Sequence, residues 1–240
     1  MTPAEAGKAR SGAFFRLFVP FLPAVATLLF IRLLFHRNSL LFFVLLAIFL
    51  ASLYYRFRPL KAAVAFWAVL LGIFGEWSCV KAGMWVYAHP QIGGLPVWLG
   101  FVWPILMMSF LEMAEYLDEA GEVYPRARLA GIAVLLPVAL FLTGAALALA
   151  GGPVSLILFL FLSFALVFAH RPFHLILFVM AAAIGFSGEY LCVRWGVWHY
   201  TRPFLEGIGM PVSLPLAWGL SALLVRLAAG ATIRPLTLKA

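Results

Sequence analysis

The 240-residue sequence has few charged residues. Asp, Glu, Lys and Arg make up only 11% of the chain, whereas hydrophobic residues make up 65% and the mean hydropathy is +1.05. In soluble globular domains roughly a quarter of the residues are charged, so this shortage excludes that class. The sequence therefore predicts an integral membrane protein.

The chain also lacks the short alternating segments that a membrane β-barrel needs. It has instead eight continuous apolar runs, each near the length that a helix needs to cross a hydrocarbon core of about 30 Å. We therefore predict an all-α, polytopic membrane protein with about eight transmembrane helices. The predicted spans are 17–35, 39–56, 60–83, 95–116, 129–150, 154–169, 173–195 and 209–229.

Motifs that bind phosphate or metal are lacking too. No phosphate-binding loop, nucleophile elbow or zinc-protease helix occurs, so we predict no cofactor and no metal. His170 and His174 stand four residues apart, but Pro172 interrupts the spacing that helical metal ligands require. Cys79 and Cys192 are the only cysteines. We interpret them as small buried hydrophobic residues, with a disulfide between them as the alternative.

The sequence contains an internal repeat. Residues 75–87 read GEWSCVKAGMWVY and residues 188–200 read GEYLCVRWGVWHY, at an offset of 113 residues. After a two-residue insertion the match continues in a Gly-x-Pro segment, at 94–96 and 209–211. Leu and Phe matches are expected by chance in this composition, but Glu, Cys, Trp and Pro recurring in order indicate a duplication.

The duplication predicts the organisation of the chain. Each copy holds four predicted spans, which returns the chain to its starting side, so we expect two parallel four-helix repeats. The expected parts are a cytoplasmic tail at 1–16, the first repeat at 17–116, a cytoplasmic linker at 117–128, the second repeat at 129–230 and a cytoplasmic tail at 231–240. We interpret the acidic residues near the linker, among them Glu112 and Glu115, as a solvated extension of the fourth helix.

Lys and Arg residues predict the orientation. Placing both termini in the cytoplasm puts twelve of the seventeen on the inner side, as the positive-inside rule requires. We expect a multi-pass protein of a bacterial inner membrane with a retained N-terminal tail, because no cleavage site follows it. The net charge of +8 then reflects topology and attraction to anionic lipid, and we predict no nucleic-acid partner. The sequence does not indicate an oligomeric state.

Each repeat places a carboxylate within a predicted span. Gly72, Glu76, Cys79 and Gly83 share one stripe of a helix, as do Gly185, Glu189, Cys192 and Gly196 in the second copy. Small residues allow neighbouring helices to approach closely, so the carboxylates are expected to point into the protein. Carboxylates in a membrane pair, line a cavity or stay protonated, and they mark functional sites. We predict Glu76 and Glu189 as catalytic acids, with packing alone as the alternative.

Aromatic residues surround both carboxylates in the sequence. They form an interfacial belt or, alternatively, the wall of a cavity in which ring faces stabilise a cation. We predict that the substrate-binding residues are Trp77, Trp85, Tyr87, Trp103, Tyr190, Trp198, Tyr200 and Trp218.

One stretch of the second copy, GEYLCVRWGVWHYTRPFLEGIGMPVSLPLAW, resembles the membrane carotenoid hydratases and is similar to the integral-membrane lycopene cyclases. The resemblance implies an enzyme that protonates a double bond of a hydrophobic isoprenoid substrate, leading to hydration, cyclisation or isomerisation. In that scheme Glu76 or Glu189 is the acid, and the partners are the bilayer and the hydrophobic substrate. Two alternatives stay open from the residues: a proton-coupled transporter of a small molecule or lipid, and a membrane scaffold without turnover.

Overall fold

The computed structural model describes residues 18–123, 172–201, 209–211 and 214–237, with the backbone alone described at 118–123, 172 and 234–237. The predicted spans at 129–150 and 154–169 lie outside these residues, as does His170 of the histidine pair. The predicted tail at 1–16 also lies outside them, whereas residues 231–237 of the predicted tail at 231–240 lie inside and are helical.

The described residues form a mostly helical protein. A 3-10 turn, Val19–Phe21, leads directly into the first of six α-helices. The helices are α1 (Leu22–Leu34), α2 (Asn38–Tyr54), α3 (Pro59–Lys81), α4 (Leu99–Val123), α5 (Pro172–Arg194) and α6 (Leu214–Thr237). Pro59 and Pro172 are the first residues of α3 and α5, where a missing backbone N–H breaks no helical hydrogen bond.

Three of these helices are long and apolar enough to cross a bilayer. They are α3, residues Phe173–Arg194 of α5 and residues Leu214–Ile233 of α6. Val19–Leu34 and Asn38–Tyr54 are shorter apolar helices. The prediction of an integral membrane protein thus agrees with three candidate spans among the described residues.

A short two-stranded antiparallel sheet adds to the mostly helical fold, which the all-α prediction did not include. Its strands are β1 (Trp85–Tyr87) and β2 (Trp198–Tyr200), and we call the pair the ribbon. Each strand follows a glycine, Gly83 or Gly196, with φ of +68° or +73°. A glycine in this left-handed conformation ends a helix and turns the chain away from the helix axis. The strand residues, which begin two positions after each glycine, are then free to extend and pair.

Two helix boundaries also differ from the predicted spans. Helix α4 begins at Leu99 instead of residue 95, because a tight turn bridging Ile92 and Leu95 precedes it. It continues to Val123, so the predicted linker is helical up to that residue. Helix α6 covers 214–237, whereas the predicted span was 209–229.

Helices α3, α4, α5 and α6 pack against each other, and α1 and α2 pack against α4. At the centre of the four, the Trp103 ring of α4 stacks on the Trp218 ring of α6, with centroids 4.7 Å apart and planes 18° apart. The Trp103 ring lies against Gly72 of α3, and the Trp218 ring lies against Gly185 of α5. The glycines therefore make room for two aromatic rings, as the small-residue stripes predicted for close helix contacts.

Ion pairs replace the solvated acidic surface that the sequence suggested near the end of α4. Glu112 pairs with Lys61, and Glu115 pairs with Arg58 at the residue before α3. The Lys61 side chain is only 1% exposed, so a charge at this depth requires a partner. The interpretation of Glu112 as a solvated residue was therefore wrong, whereas Glu115 is 25% exposed and lies on the predicted extension of the fourth helix.

Candidate functional site

The ribbon joins equivalent positions of the two copies. Val86 pairs with His199 at its centre, and Trp85–Tyr200 and Tyr87–Trp198 are the flanking pairs. Outside the strands, the Ala88 N–H donates to Val197 O at 2.9 Å and the Thr201 N–H donates to Met84 O at 3.0 Å. Each contact maps onto the other by the 113-residue offset. The two repeated segments are therefore related by a local twofold axis between Val86 and His199.

Glu76 lies near the end of α3, beneath the first strand. Its Oε2 accepts a hydrogen bond from the Tyr87 hydroxyl at 2.7 Å and another from the Trp85 indole N–H at 3.2 Å. The carboxylate is buried. The first and third residues of β1, Trp85 and Tyr87, lie on the same side of the strand. Because β1 follows the turn at Gly83, both side chains reach back to the same oxygen.

Glu189 of α5 has the same donors from the second copy. Its Oε2 accepts from the Trp198 indole N–H at 3.0 Å and from the Tyr200 hydroxyl at 3.1 Å. Burial raises the pKa of both tyrosine hydroxyls, at Tyr87 and Tyr200, so these groups stay protonated and act as donors. A third indole is placed to interact with each carboxyl group, Trp103 with Glu76 and Trp218 with Glu189.

A cavity of about 330 Å³ brings the two carboxylates together. We call it the ribbon cavity. Helices α1, α4 and α5 supply most of its wall, and Tyr87 and Trp198 close it from the ribbon. Its wall is largely apolar, with both carboxylates and five aromatic rings among the lining residues; these rings are Phe21, Tyr87, Trp103, Trp198 and Trp218. A volume above 300 Å³ is in the range of small-molecule sites.

The ribbon cavity reaches the outer surface of the bundle along α5. Ala183 and Ser187 line it and are exposed. The Ser187 hydroxyl donates to Ala183 O at 2.8 Å within the helix. Because its proton is already hydrogen-bonded, this side chain can face an apolar molecule at little cost. A hydrophobic molecule in the bilayer would therefore meet an opening lined by small side chains.

The predicted substrate-binding residues divide into three groups. Tyr87, Trp103, Trp198 and Trp218 line the ribbon cavity. Trp85 and Tyr200 bind the carboxylates, and their rings pack edge to face with centroids 5.4 Å apart. The structure does not bring Trp77 and Tyr190 to the cavity, because both lie on exposed helix faces. Helical periodicity explains this, since each directly follows an inward-pointing glutamate.

Several residues of the site were missed in the sequence. Thr27 of α1 lines the ribbon cavity and is 2% exposed, and its hydroxyl has no partner among the described residues. Asn38 accepts from the Trp98 indole N–H at 2.8 Å and donates to His89 O at 2.9 Å, which ties the start of α2 to the loop after β1. Neither residue has an identical counterpart at the 113-residue offset, so duplication could not reveal them.

The two cysteines do not pair. Cys79 and Cys192 are both free thiols, and Cys192 is buried in the cavity wall. Among the described side chains, no group of three or more His, Cys, Asp or Glu residues is placed to hold a metal ion. The chemistry of the site is therefore that of two carboxylates, their hydroxyl and indole donors, and aromatic faces.

Comparison of the chain with protein-family models, curated proteins and solved structures finds no match.

Proposed function

We propose that the protein is a membrane-embedded enzyme that protonates a double bond of a hydrophobic, isoprenoid-like substrate in the ribbon cavity. The observation that supports it is the pair of carboxylates, Glu76 and Glu189, on the wall of an aromatic cavity that opens on the surface of a candidate span. A neutral carboxyl group in apolar surroundings is a suitable general acid.

The hydrogen bonds around each carboxyl group favour transfer of its proton. When Glu189 loses the proton from Oε1, negative charge develops on the carboxylate, and Trp198 and Tyr200 already donate to Oε2. Donors placed where charge develops stabilise the transition state. The same argument applies to Glu76 with Trp85 and Tyr87.

The proposed reaction uses the carboxyl proton of one glutamate and, for hydration, one water molecule. The proton adds to one carbon of the double bond, whose π electrons form the new C–H bond and leave a cation on the other carbon. Ring faces of Trp198, Trp218 and Tyr87 stabilise that cation. Water then adds and returns a proton to the carboxylate, which gives hydration. Loss of a neighbouring proton to the carboxylate gives an isomer, or a ring if another double bond attacks first.

The duplicated contacts support the finer architecture of the proposal. Eight transmembrane helices in two parallel four-helix repeats, with both termini cytoplasmic, would place a twofold axis along the membrane normal. The pairing of Val86 with His199 is what such an axis requires. Reporter fusions test it: the segments 84–94 and 197–208 should both report from the outside, and a cytoplasmic signal from either one would contradict the parallel arrangement.

The function is tested in cells that accumulate linear carotenoids or other polyprenyl lipids. The wild-type protein should convert them to a product with the mass of one added water, or to an isomer of equal mass and altered absorbance. The control is the double variant Glu76→Gln, Glu189→Gln, which keeps size and hydrogen bonding but has no transferable proton. A correctly folded double variant with wild-type conversion would exclude acid catalysis by this pair.

The same two carboxylates would also suit a proton-coupled transporter, and the double variant separates the two functions. A transporter would make no new product but would carry its solute into vesicles in response to a proton gradient, and the double variant would lose that response. A scaffold would show neither activity.

A further inference from the structure

A second cavity lies at the other end of the bundle from the ribbon. Its volume is about 420 Å³, and it lies between the start of α1, the end of α2 and residues 108–112 near the middle of α4. We call it the Lys61 cavity, since the Lys61 side chain lies in its wall. It shares no lining residue with the ribbon cavity.

Two charged side chains line the Lys61 cavity, and they neutralise each other. Lys61 pairs with Glu112 and also donates to Tyr55 O at 2.6 Å. Their side chains are 1% and 12% exposed. A further charge brought beside this pair would have no counter-ion among the lining side chains, and burying an unpaired charge is strongly unfavourable. The occupant of the cavity should therefore carry no net charge.

One lining side chain lacks a hydrogen-bond partner. Ser52 of α2 is buried, and its hydroxyl oxygen has no partner among the described residues. A buried hydroxyl without a partner is unfavourable, and a ligand with a hydroxyl or carbonyl group would supply the missing hydrogen bond. The remaining wall is mainly apolar and includes Pro20, Ile48 and Met108.

The entrance to the Lys61 cavity suits a molecule that comes from the bilayer. Leu22, Ala51 and Tyr55 line the cavity and are exposed, which leaves an opening between α1 and α2. The guanidinium of Arg56 lies 5.8 Å from the Tyr55 ring centre, and the Lys61 ammonium lies 5.6 Å from the same centre. An aromatic ring flanked by cations is typical of the membrane interface, where the head of an amphiphile lies.

We propose that the Lys61 cavity binds an uncharged amphiphile with a hydroxyl or carbonyl head, such as a long-chain alcohol. The head bonds with the Ser52 hydroxyl and the Lys61 ammonium, and the apolar tail lies along Pro20 and Ile48. This site is independent of the acid chemistry proposed for the ribbon cavity, and neither Glu76 nor Glu189 takes part in it.

The test is photo-crosslinking of the full-length protein in lipid nanodiscs with a diazirine analogue of decanol, followed by mapping of the labelled peptides. Labelling should concentrate on the lining of the Lys61 cavity. Decanol should compete with it, whereas decanoic acid and decylamine should compete much more weakly. Equal competition by the charged compounds, or labelling spread evenly over all exposed helix faces, would overturn the proposal.

Matched variants sharpen the test. Ser52→Ala should weaken competition by decanol about threefold to tenfold, the effect of one lost hydrogen bond. Ala26→Leu should fill the cavity and abolish the specific labelling. Leu50→Ala, on the exposed side of α2, is the control and should change neither. Unchanged competition in a folded Ser52→Ala variant would exclude the proposed head-group contact, even if Ala26→Leu fails to fold.

Discussion

The Glu76 half and the Glu189 half of the ribbon cavity have the same inner contacts and different outer surroundings. In each half a Tyr hydroxyl and a Trp indole donate to one carboxylate oxygen, and a helix glycine lies against a Trp ring. On the surface, α5 presents Ala183 and Ser187, where α3 presents Leu70 and Phe74 at the equivalent positions. The described opening therefore lies beside Glu189.

The difference shows which features the duplication kept and which diverged. Hydrogen bonds to a carboxylate withdrawn from water are costly to lose, and each copy retains both its Trp and its Tyr donor. The surface positions carry no such constraint, and small side chains there create an opening whereas Leu70 and Phe74, 46% and 66% exposed, cover the surface. We therefore expect the two carboxylates to contribute unequally to turnover.

The largest expected effect comes from removing one acid at a time. Glu189→Gln should lower conversion by about 100- to 10,000-fold, the contribution of a positioned general acid, with little change in folding. Glu76→Gln should have a smaller effect, because its copy lacks the described opening. Product formation in membranes, with protein amount matched, measures both. If the two variants lost the same activity, the two halves would be functionally equivalent.

Packing at the stacked tryptophans should affect stability in both halves. In Gly185→Ala the new Cβ would overlap the Trp218 ring, and in Gly72→Ala it would overlap the Trp103 ring. Overpacking of this kind costs about 1–3 kcal/mol, so both variants should melt at lower temperature in detergent. Gly188→Ala and Gly75→Ala are controls, since a Cβ there meets no atom within 4 Å. A drop in melting temperature in the controls alone would contradict this account.

The opening itself can be exchanged between the halves. Ser187→Phe gives the second copy the side chain of the first and should raise KM for a bulky substrate about tenfold or more, with kcat less affected. Phe74→Ser, the reverse change, should leave KM near the wild-type value. Steady-state kinetics in nanodiscs measure both. A substrate that enters elsewhere would leave KM unchanged in Ser187→Phe.

The smallest expected effect is on the stability of the ribbon, through a hydrogen bond that the two copies do not share. The Thr201 hydroxyl donates to Gly83 O and, at 3.2 Å, to Met84 O, whereas its counterpart Ala88 has no hydroxyl. Thr201→Val should lower the stability of the ribbon by about 0.5–1.5 kcal/mol or less, because the site is exposed. Hydrogen exchange at the Ala88 and Thr201 amides measures it. Ala88→Val is the matched control, and equal exchange in both variants would exclude a role for the hydroxyl.

The amino-acid sequence by itself determined the membrane class, the approximate positions of the described helices and the duplication. Hydropathy and helical spacing act within short segments, so continuous apolar runs and the Gly72, Glu76, Cys79 stripe were sufficient. The same spacing placed Glu76 and Glu189 in the interior. The residues predicted for the site included six of the seven aromatic side chains that line the ribbon cavity or bind its carboxylates, and Phe21 was missed.

Only the tertiary structure decided how the two copies meet. Thr201 reaches Gly83 across 118 residues of sequence, and the ribbon needs both strands before either is stable as a strand. Three-residue strands between long helices are too short to produce a detectable alternation. The ribbon cavity and the ion pair of Lys61 with Glu112 likewise depend on packing between different helices, which no local pattern in the chain encodes.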